Sequence, residues 1–361
     1  MVGTSIADLE TPALLIDLDI MERNLQRVAD YTREHGLRLR PHTKTHKIPA
    51  LGRKQIESGA AGLTVAKVSE AEVMLGSGTP DLLVAYPIIG AAKLDRLMQV
   101  AAHTRVTVSL DSLEAARQLS AAAQTAQREI GVLAELDAGL GRVGVAPGPE
   151  LVELARAIDR LPGLHLEGIA FYPGQIKTVG ETAALGELIG SVTRELRRAG
   201  LAIAIVSGGS TPTLFESHKI DGLNEIRPGT YIFNDRNTML SGACSLEDCA
   251  ASILATVVST ARPGQMIIDG GSKTFSSDRP VTAEVSFGHV VEAPEAVFTK
   301  MNEEHGYVDI RAVKRDFAIG DRVRVIPNHV CVAMNLHEFV YGVRGGCVEQ
   351  VWRVEGRGKL Q

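Results

Sequence analysis

The sequence predicts a (β/α)8 barrel followed by an antiparallel β domain, and three observations carry that expectation. Eight short apolar runs rich in β-branched residues recur between Leu37 and Tyr231. Each gap between them is long enough for a helix and its two connections, as a parallel sheet requires. After Asp235 the texture changes to alternating segments that suit a sheet with one face on a core.

Ala13 to Asp19, ALLIDLD, reads as a strand that precedes the eight. It can belong to either unit, and pairing with the β domain is consistent with a barrel count that is already complete. The first helix follows over Ile20 to Glu34, with Met21, Leu25 and Val28 on one face and Gly36 as its stop. The eight barrel runs are LRLRPHT, GLTVAKV, DLLVAYP, RVTVSLD, GVLAELD, LEGIAFYP, AIAIVSGG and NEIRPGTY. Between the second and third, Ser69 to Leu75 reads as a helix with Ser69 as cap and Glu72 at the capping-box position. Right-handed crossovers bring eight such strands round into a closed barrel. An open doubly wound sheet is the competing arrangement, but no G-x-G-x-x-G follows an early strand.

The later segments ASILATVVST, QMIIDGG, AVFTKMN and RVRVIPNHVCV, with the pair EFVYGVR and VEQVWRVE joined through Gly345 and Gly346, read as antiparallel β structure. The expected division is a strand in 1–18, a barrel in 19–240 and a β domain in 241–361.

Composition narrows the function classes. With 361 residues, 45% hydrophobic and 22% charged, the chain has ordinary globular usage and room for two cores. A net charge of −5 leaves no footprint for nucleic acid, so the expected partner is a small molecule. Asp8, Glu10 and Asp17 interrupt the N-terminus where a signal peptide needs an unbroken apolar stretch. No run approaches the roughly 18 apolar residues of a membrane span. The expectation is therefore a cytoplasmic protein without membrane contact. The four cysteines, Cys244, Cys249, Cys331 and Cys347, lack CxxC spacing and do not suggest a disulfide framework.

In a (β/α)8 barrel the reacting groups collect at the C-terminal strand ends. Those ends carry His42 and Lys44, Lys67, Tyr86, Asp111, Asp137 with Arg142, Tyr172, the loop Ser207 to Thr213, and Arg227. Lys44 has Arg40, His42, His46 and Lys47 as sequence neighbours, a density of positive charge expected to favour the free amine and so a Schiff base. A solvated basic loop is the bland alternative, and the strand-end position argues against it. SGGSTPT combines glycines, which let backbone amides approach, with hydroxyl side chains, the chemistry of a phosphate cradle; Gly229 and Thr230 follow the next strand. In PNHVC, His329 and Cys331 stand two apart on an expected strand, on one face, and imidazole with thiolate suits zinc. Two ligands leave that site incomplete. Water, substrate or a distant residue such as His305 would complete it.

Taken together, LETPALLIDLD, RPHTKTHK, LLVAYP, DAGLGRVGV, SGGSTPT, EIRPGTYIF, NEEHGYV and PNHVCVAMNLHE resemble the D-threonine aldolase and D-serine dehydratase family. That family consists of alanine-racemase-like, fold-type III pyridoxal-phosphate enzymes. The resemblance runs nearly end to end. It implies pyridoxal 5′-phosphate held by Lys44, with Arg142 at the ring oxygen and Gly209, Ser210, Thr211, Gly229 and Thr230 around the phosphate. It also implies Arg227 against the pyridine nitrogen, Tyr172 beside the cofactor, and a divalent metal (zinc, manganese or magnesium) on His329 and Cys331; with the aldolases' histidine base missing, Tyr172 or a metal-bound hydroxide is expected to take the substrate's hydroxyl proton. The activity implied first is metal-assisted cleavage of a D-3-hydroxy amino acid to glycine and an aldehyde. The alternative is dehydration of such a substrate, for example D-serine, to ammonia and a 2-oxo acid. A racemase and a non-catalytic cofactor carrier are the remaining readings. The first lacks an identifiable opposing tyrosine, and the second has no need of a β domain. Two positions depart from the aldolases: Cys331 stands where they carry Asp, and Pro173 follows Tyr172 where they carry His. The resemblance also implies a head-to-tail homodimer.

Overall fold

The computed structural model describes residues 1–176 and 182–361. They divide into two units, one of Arg27–Gly229 with Gly358–Gln361 and the other of Met1–Gln26 with Thr230–Arg357. Strands are numbered in chain order, and β1, Ala13–Asp17, belongs to the second unit.

The first unit is the barrel. Its strands are β2 (Arg38–Leu39), β3 (Leu63–Val65), β4 (Asp81–Val84), β5 (Arg105–Leu110), β6 (Ile130–Leu136), β7 (Leu164–Phe171), β8 (Ile205–Gly208) and β9 (Glu225–Ile226). They pair in parallel in the order β2-β9-β8-β7-β6-β5-β4-β3, and a parallel bridge between His42 and Thr64 joins the two ends. The barrel is thus closed, and each of the eight apolar runs supplies one strand. Helices fill the gaps, as the parallel pairing demands. In Leu18–Glu34, the residues Met21, Leu25 and Val28 are all buried.

The helix after β3 starts differently from the sequence expectation. It spans Val68–Met74 with Lys67 at the cap, and no side chain caps it. Glu70 stands three residues after the cap and accepts from the Ala66 amide, one residue before the cap, at 2.8 Å, so it and not Glu72 holds the chain entering the helix. Ser69 instead donates to the Gln361 carbonyl at 2.6 Å, and Glu72 pairs with Arg96.

The barrel interior is partly ionic. Arg40 is fully buried between Asp81, 3.1 Å away, and Glu225, 3.2 Å away. Glu225 also accepts from Ser207 at 2.7 Å, while Glu167 takes Arg105 and the Thr107 hydroxyl. Burial raises the Asp81 pKa against the opposing pull of Arg40 and Arg105. Arg38 adds a third cation at 3.5 Å from Glu225, so three arginines face three carboxylates, and that matching is what makes such a cluster tolerable in a low-dielectric core.

The second unit contains β1 with β10 (Ala251–Ser259), β11 (Gln265–Ile268), β12 (Gly288–Val290), β13 (Val297–Met301), β14 (Gly306–Asp309), β15 (Arg322–Pro327), β16 (Phe339–Arg344) and β17 (Cys347–Arg353). The order is β13-β14-β11-β10-β1-β16-β17, with β15 paired to β10 and β12 to β15. All pairs are antiparallel except β1 with β16, so the sheet is mixed. A central place suits the apolar run of β1, whose first four residues are buried. Leu9, Ala13, Leu15, Leu254, Val343 and Val348 pack as one cluster on it. Gly345 and Gly346, at φ +55° and +79°, make the tight turn between β16 and β17. Among the described residues, no helix is long and apolar enough to cross a membrane.

Candidate active site

Three neighbouring strands, β2, β9 and β8, present their C-terminal ends side by side. Lys44 lies in the 3-10 turn Thr43–Thr45 after β2 and is exposed. His42 caps that turn, its Nδ1 accepting from the Lys44 amide at 3.3 Å. At the exit, His46 does the same for the Ile48 amide at 3.0 Å, while its Nε2 meets Gln55 at 3.2 Å.

The charge density expected around Lys44 is not there. Arg40 is committed to Asp81 and Glu225, and Lys47 pairs with Glu70 at 3.1 Å. Burial holds the His46 pKa down at about 4, and burial together with Lys44 and Arg227 holds His42 well below the usual histidine range. Basic residues adjacent in sequence are thus neutral or neutralised, because Arg40, His46 and Lys47 are all buried and Lys44 alone of the four is exposed. The His46 shift has a measurable consequence. An unfolded chain binds a proton at His46 near pH 6.5 and the folded one only near 4, so the associated stability is present above 6.5 and lost as pH falls towards 4. The difference corresponds to about 3 kcal/mol. His46→Asn keeps an acceptor for Ile48 and is expected to flatten the loss of denaturation midpoint between pH 7 and 4.5; an unchanged slope would place that titration elsewhere.

After β9, Arg227 is buried and donates from Nη2 to the Phe171 carbonyl at 2.9 Å, while its Nε has no partner among the described residues. Burial lowers its pKa, and Glu135 and Glu225 oppose that shift. Gly229 lies so close to the Lys44 turn that a Cβ there would sit 2.7 Å from Thr45 Oγ1. Glycine is required by that approach. After β8, Gly209 takes φ +82°, and Ser210 and Thr211 are buried. Of the hydroxyls in this segment, that of Ser207 is given to Glu225 and that of Thr213 is occupied locally, accepting from the Ser210 amide at 3.0 Å and closing the loop.

Tyr172, after β7, has Lys44 Nζ 6.0 Å from its ring centroid on this side of the barrel and Arg142, after β6, at 4.7 Å. Asp137 shapes the Arg142 loop by accepting from the amides of Gly139 and Gly141, which lower its pKa. Lys67 and Tyr86 pair with each other instead, at 3.7 Å.

Thr230, His329 and Cys331 belong to the second unit. The strand expected to carry His329 and Cys331 ends at Pro327, and His329 caps the helix Val330–Leu336 with Cys331 in its first turn. Asn328 causes the change by donating to the carbonyls of Asp278 and Ser286, which turns the chain out of the sheet. The two side chains still meet: negative charge on Cys331 raises the His329 pKa to about 11, with Asp235 assisting against burial. Thr230 Oγ1 is 3.9 Å from Cys331 Sγ.

Asp235 is the residue sequence reasoning missed. It is 1% exposed, and its carboxylate accepts from His329 Nδ1 and the Val330 amide at 3.0 Å each. Its other oxygen accepts from the Thr238 amide and hydroxyl at 2.8 and 2.7 Å. With Nδ1 donating, Nε2 of His329 is the nitrogen left for a metal. Among the described residues no cluster of three or more His, Cys, Asp or Glu side chains could hold a metal. The imidazole and thiol pair fits one with coordination positions left open.

Comparison with known proteins agrees with this architecture. Residues 16–237 match the family "Alanine racemase, N-terminal domain", and residues 250–343 match the "Putative serine dehydratase domain". The chain is 31% identical to D-threonine aldolase of an Arthrobacter species, over 99% of this chain and 95% of the relative. It is 33% identical to D-threo-3-hydroxyaspartate dehydratase of Delftia sp. strain HT23, over 91% of this chain and 92% of that one. The crystal structure of D-threonine aldolase from Filomicrobium marinum superposes with a TM-score of 0.92 at 33% identity, covering 100% of this chain and 99% of the other. The chain therefore belongs to the D-threonine aldolase and D-serine dehydratase family of fold-type III, alanine-racemase-like pyridoxal-phosphate enzymes.

Proposed function

We propose that the chain is a pyridoxal-phosphate-dependent lyase that cleaves D-3-hydroxy amino acids, such as D-threonine or D-phenylserine, to glycine and an aldehyde. The observation that carries this reading is the convergence of the Lys44 turn, the Gly229 approach and the buried Ser210 and Thr211 loop on three adjacent strand ends. These residues fit the cofactor. Lys44 would hold it, Ser210, Thr211, Gly229 and Thr230 would take its phosphate with the Gly209 backbone, and Arg142 would meet its ring oxygen. Arg227 offers a buried Nε that still needs an acceptor, which suits an unprotonated pyridine nitrogen. When bound, the cofactor supplies an electron sink for a carbanion at the substrate Cα. Tyr172, beside both Lys44 and Arg142, would take the hydroxyl proton.

In the second unit, His329 and Cys331 would hold a divalent cation such as zinc. A metal lowers the pKa of an alcohol it binds, which assists either loss of a proton or departure of hydroxide. The choice between those outcomes separates cleavage from dehydration. Dehydration is the second reading, favoured by Pro173 following Tyr172, which leaves no imidazole there, and by the dehydratase relative at 33% identity.

Incubation of the purified protein with D-threonine and with D-phenylserine is expected to yield glycine. Ammonia with a 2-oxo acid would establish dehydration instead, and neither product from either substrate, or from D-serine, would sink both readings. Chelator treatment is expected to suppress turnover, with recovery on adding zinc, manganese or magnesium; full activity after dialysis against chelator would remove the metal from the proposal. The protein is further proposed to act as a homodimer in the cytoplasm, which equilibrium sedimentation tests for the assembly.

A further inference from the structure

His42 is the point at which three barrel strands meet. Its amide donates to the Pro228 carbonyl beyond β9 at 3.0 Å, and its bridge to Thr64 closes the barrel against β3. Its carbonyl lies under Gly229, 3.0 Å from where a Cβ would be. The ring has a separate task. Nδ1 accepts from the Lys44 amide at 3.3 Å, so the proton of the neutral ring sits on Nε2. The neighbouring charges are cationic, in the order Lys44, Arg227 and Arg142, and all disfavour a second proton on the ring.

We propose that His42 is a positioning residue for Lys44: its backbone is held in the barrel seam by the bridge to Thr64, and its ring accepts from the Lys44 amide and so fixes the turn from which the lysine projects. This rests on the reading of Lys44 as the residue that holds the cofactor. A side chain accepting from the amide two residues on resembles an Asx-turn, with the ring nitrogen in place of a carboxylate oxygen. Using an imidazole there has a chemical reason. Aspartate in its place would put a negative charge beside the lysine and stabilise the ammonium over the reactive amine. Histidine supplies the acceptor without that charge. Thr43 strengthens the anchor by donating its hydroxyl to the Thr64 carbonyl at 3.1 Å.

The test compares His42→Asn, which keeps an acceptor at nearly the same place, with His42→Leu, which removes it. In protein labelled with 15N-lysine, the Lys44 amide of the parent and of His42→Asn is expected to exchange with solvent at least about tenfold more slowly than that of His42→Leu. With pyridoxal 5′-phosphate added, borohydride fixation and peptide mapping are expected to find Lys44 labelled in all three, with at least about tenfold weaker cofactor binding in His42→Leu and near-parent binding in His42→Asn. Equal Lys44 exchange and equal cofactor affinity across the three proteins overturn the proposal, as does loss in His42→Asn matching that in His42→Leu. Should His42→Leu not fold, His42→Asn decides alone, because loss of either parent property contradicts the acceptor role. A parent labelled at another lysine would defeat the reading of Lys44, while the exchange measurement would still report on the hold of His42 over the turn.

Discussion

Lys44→Ala is expected to lower turnover of any D-3-hydroxy amino acid by roughly a thousandfold or more while leaving the protein folded. The two halves of that expectation have separate causes. Lys44 is exposed, and among the described residues no hydrogen bond or ion pair of its side chain supports the fold, so its truncation stays within about 0.5 kcal/mol of parent stability. Its chemistry cannot be replaced, because the nearby basic groups are unavailable: Lys47 is held by Glu70, and Lys67 lies over Tyr86. Absorbance of the cofactor-loaded protein and borohydride fixation read the loss directly. If Lys44→Ala still formed a reducible cofactor adduct on another lysine with parent turnover, the assignment of the site would be wrong.

Asp235→Asn is expected to weaken binding of zinc by about 10-fold to 100-fold without removing either proposed ligand. The carboxylate accepts four hydrogen bonds, two of them from His329 Nδ1 and the Val330 amide through a single oxygen. An amide in its place has only one acceptor oxygen. Either the imidazole or the Thr238 pair then faces an N–H group, and the tautomer that leaves Nε2 free is no longer enforced. Competition with a chromophoric chelator measures the change, and an unaltered affinity would show that Asp235 is only a helix-start residue. The metal-free variant is also expected to lose about 1 to 3 kcal/mol through unsatisfied buried donors, read as a lower denaturation midpoint.

The barrel was legible because its evidence is periodic. Eight apolar runs with helix-length gaps leave few topologies, and the structure assigns one strand to each run. The strands after Asp235 were legible where they alternate. Short ones such as β12 and β14, of three and four residues, carry too little pattern to stand out. The turn of the chain at Asn328 was hidden for another reason. It depends on carbonyls of Asp278 and Ser286, some forty to fifty residues away, which no local pattern reports. The same distance concealed Asp235, which lies ninety-four residues from His329. An aspartate followed three residues later by Thr238 reads as a helix cap, and it is one; its second oxygen is what reaches His329. The charge argument at Lys44 failed in the opposite sense. Sequence proximity placed Arg40, His46 and Lys47 beside the lysine, and the fold turned them inward, Arg40 to carboxylates on two other strands and His46 and Lys47 to partners on the neighbouring helices.

The meeting of β2 with β9 bears on how the protein is made. β2 is the first barrel strand to leave the ribosome and β9 the last, yet the Lys44 turn and the Gly229 approach exist only when the two are paired. A nascent chain therefore holds its lysine unframed until the whole barrel has been synthesised and the seam at His42 and Thr64 has shut. Any ligand that needs both strand ends becomes a reporter of completed synthesis, and a chain truncated before Glu225 would lack the β9 side of the site, Arg227 and Gly229 with it.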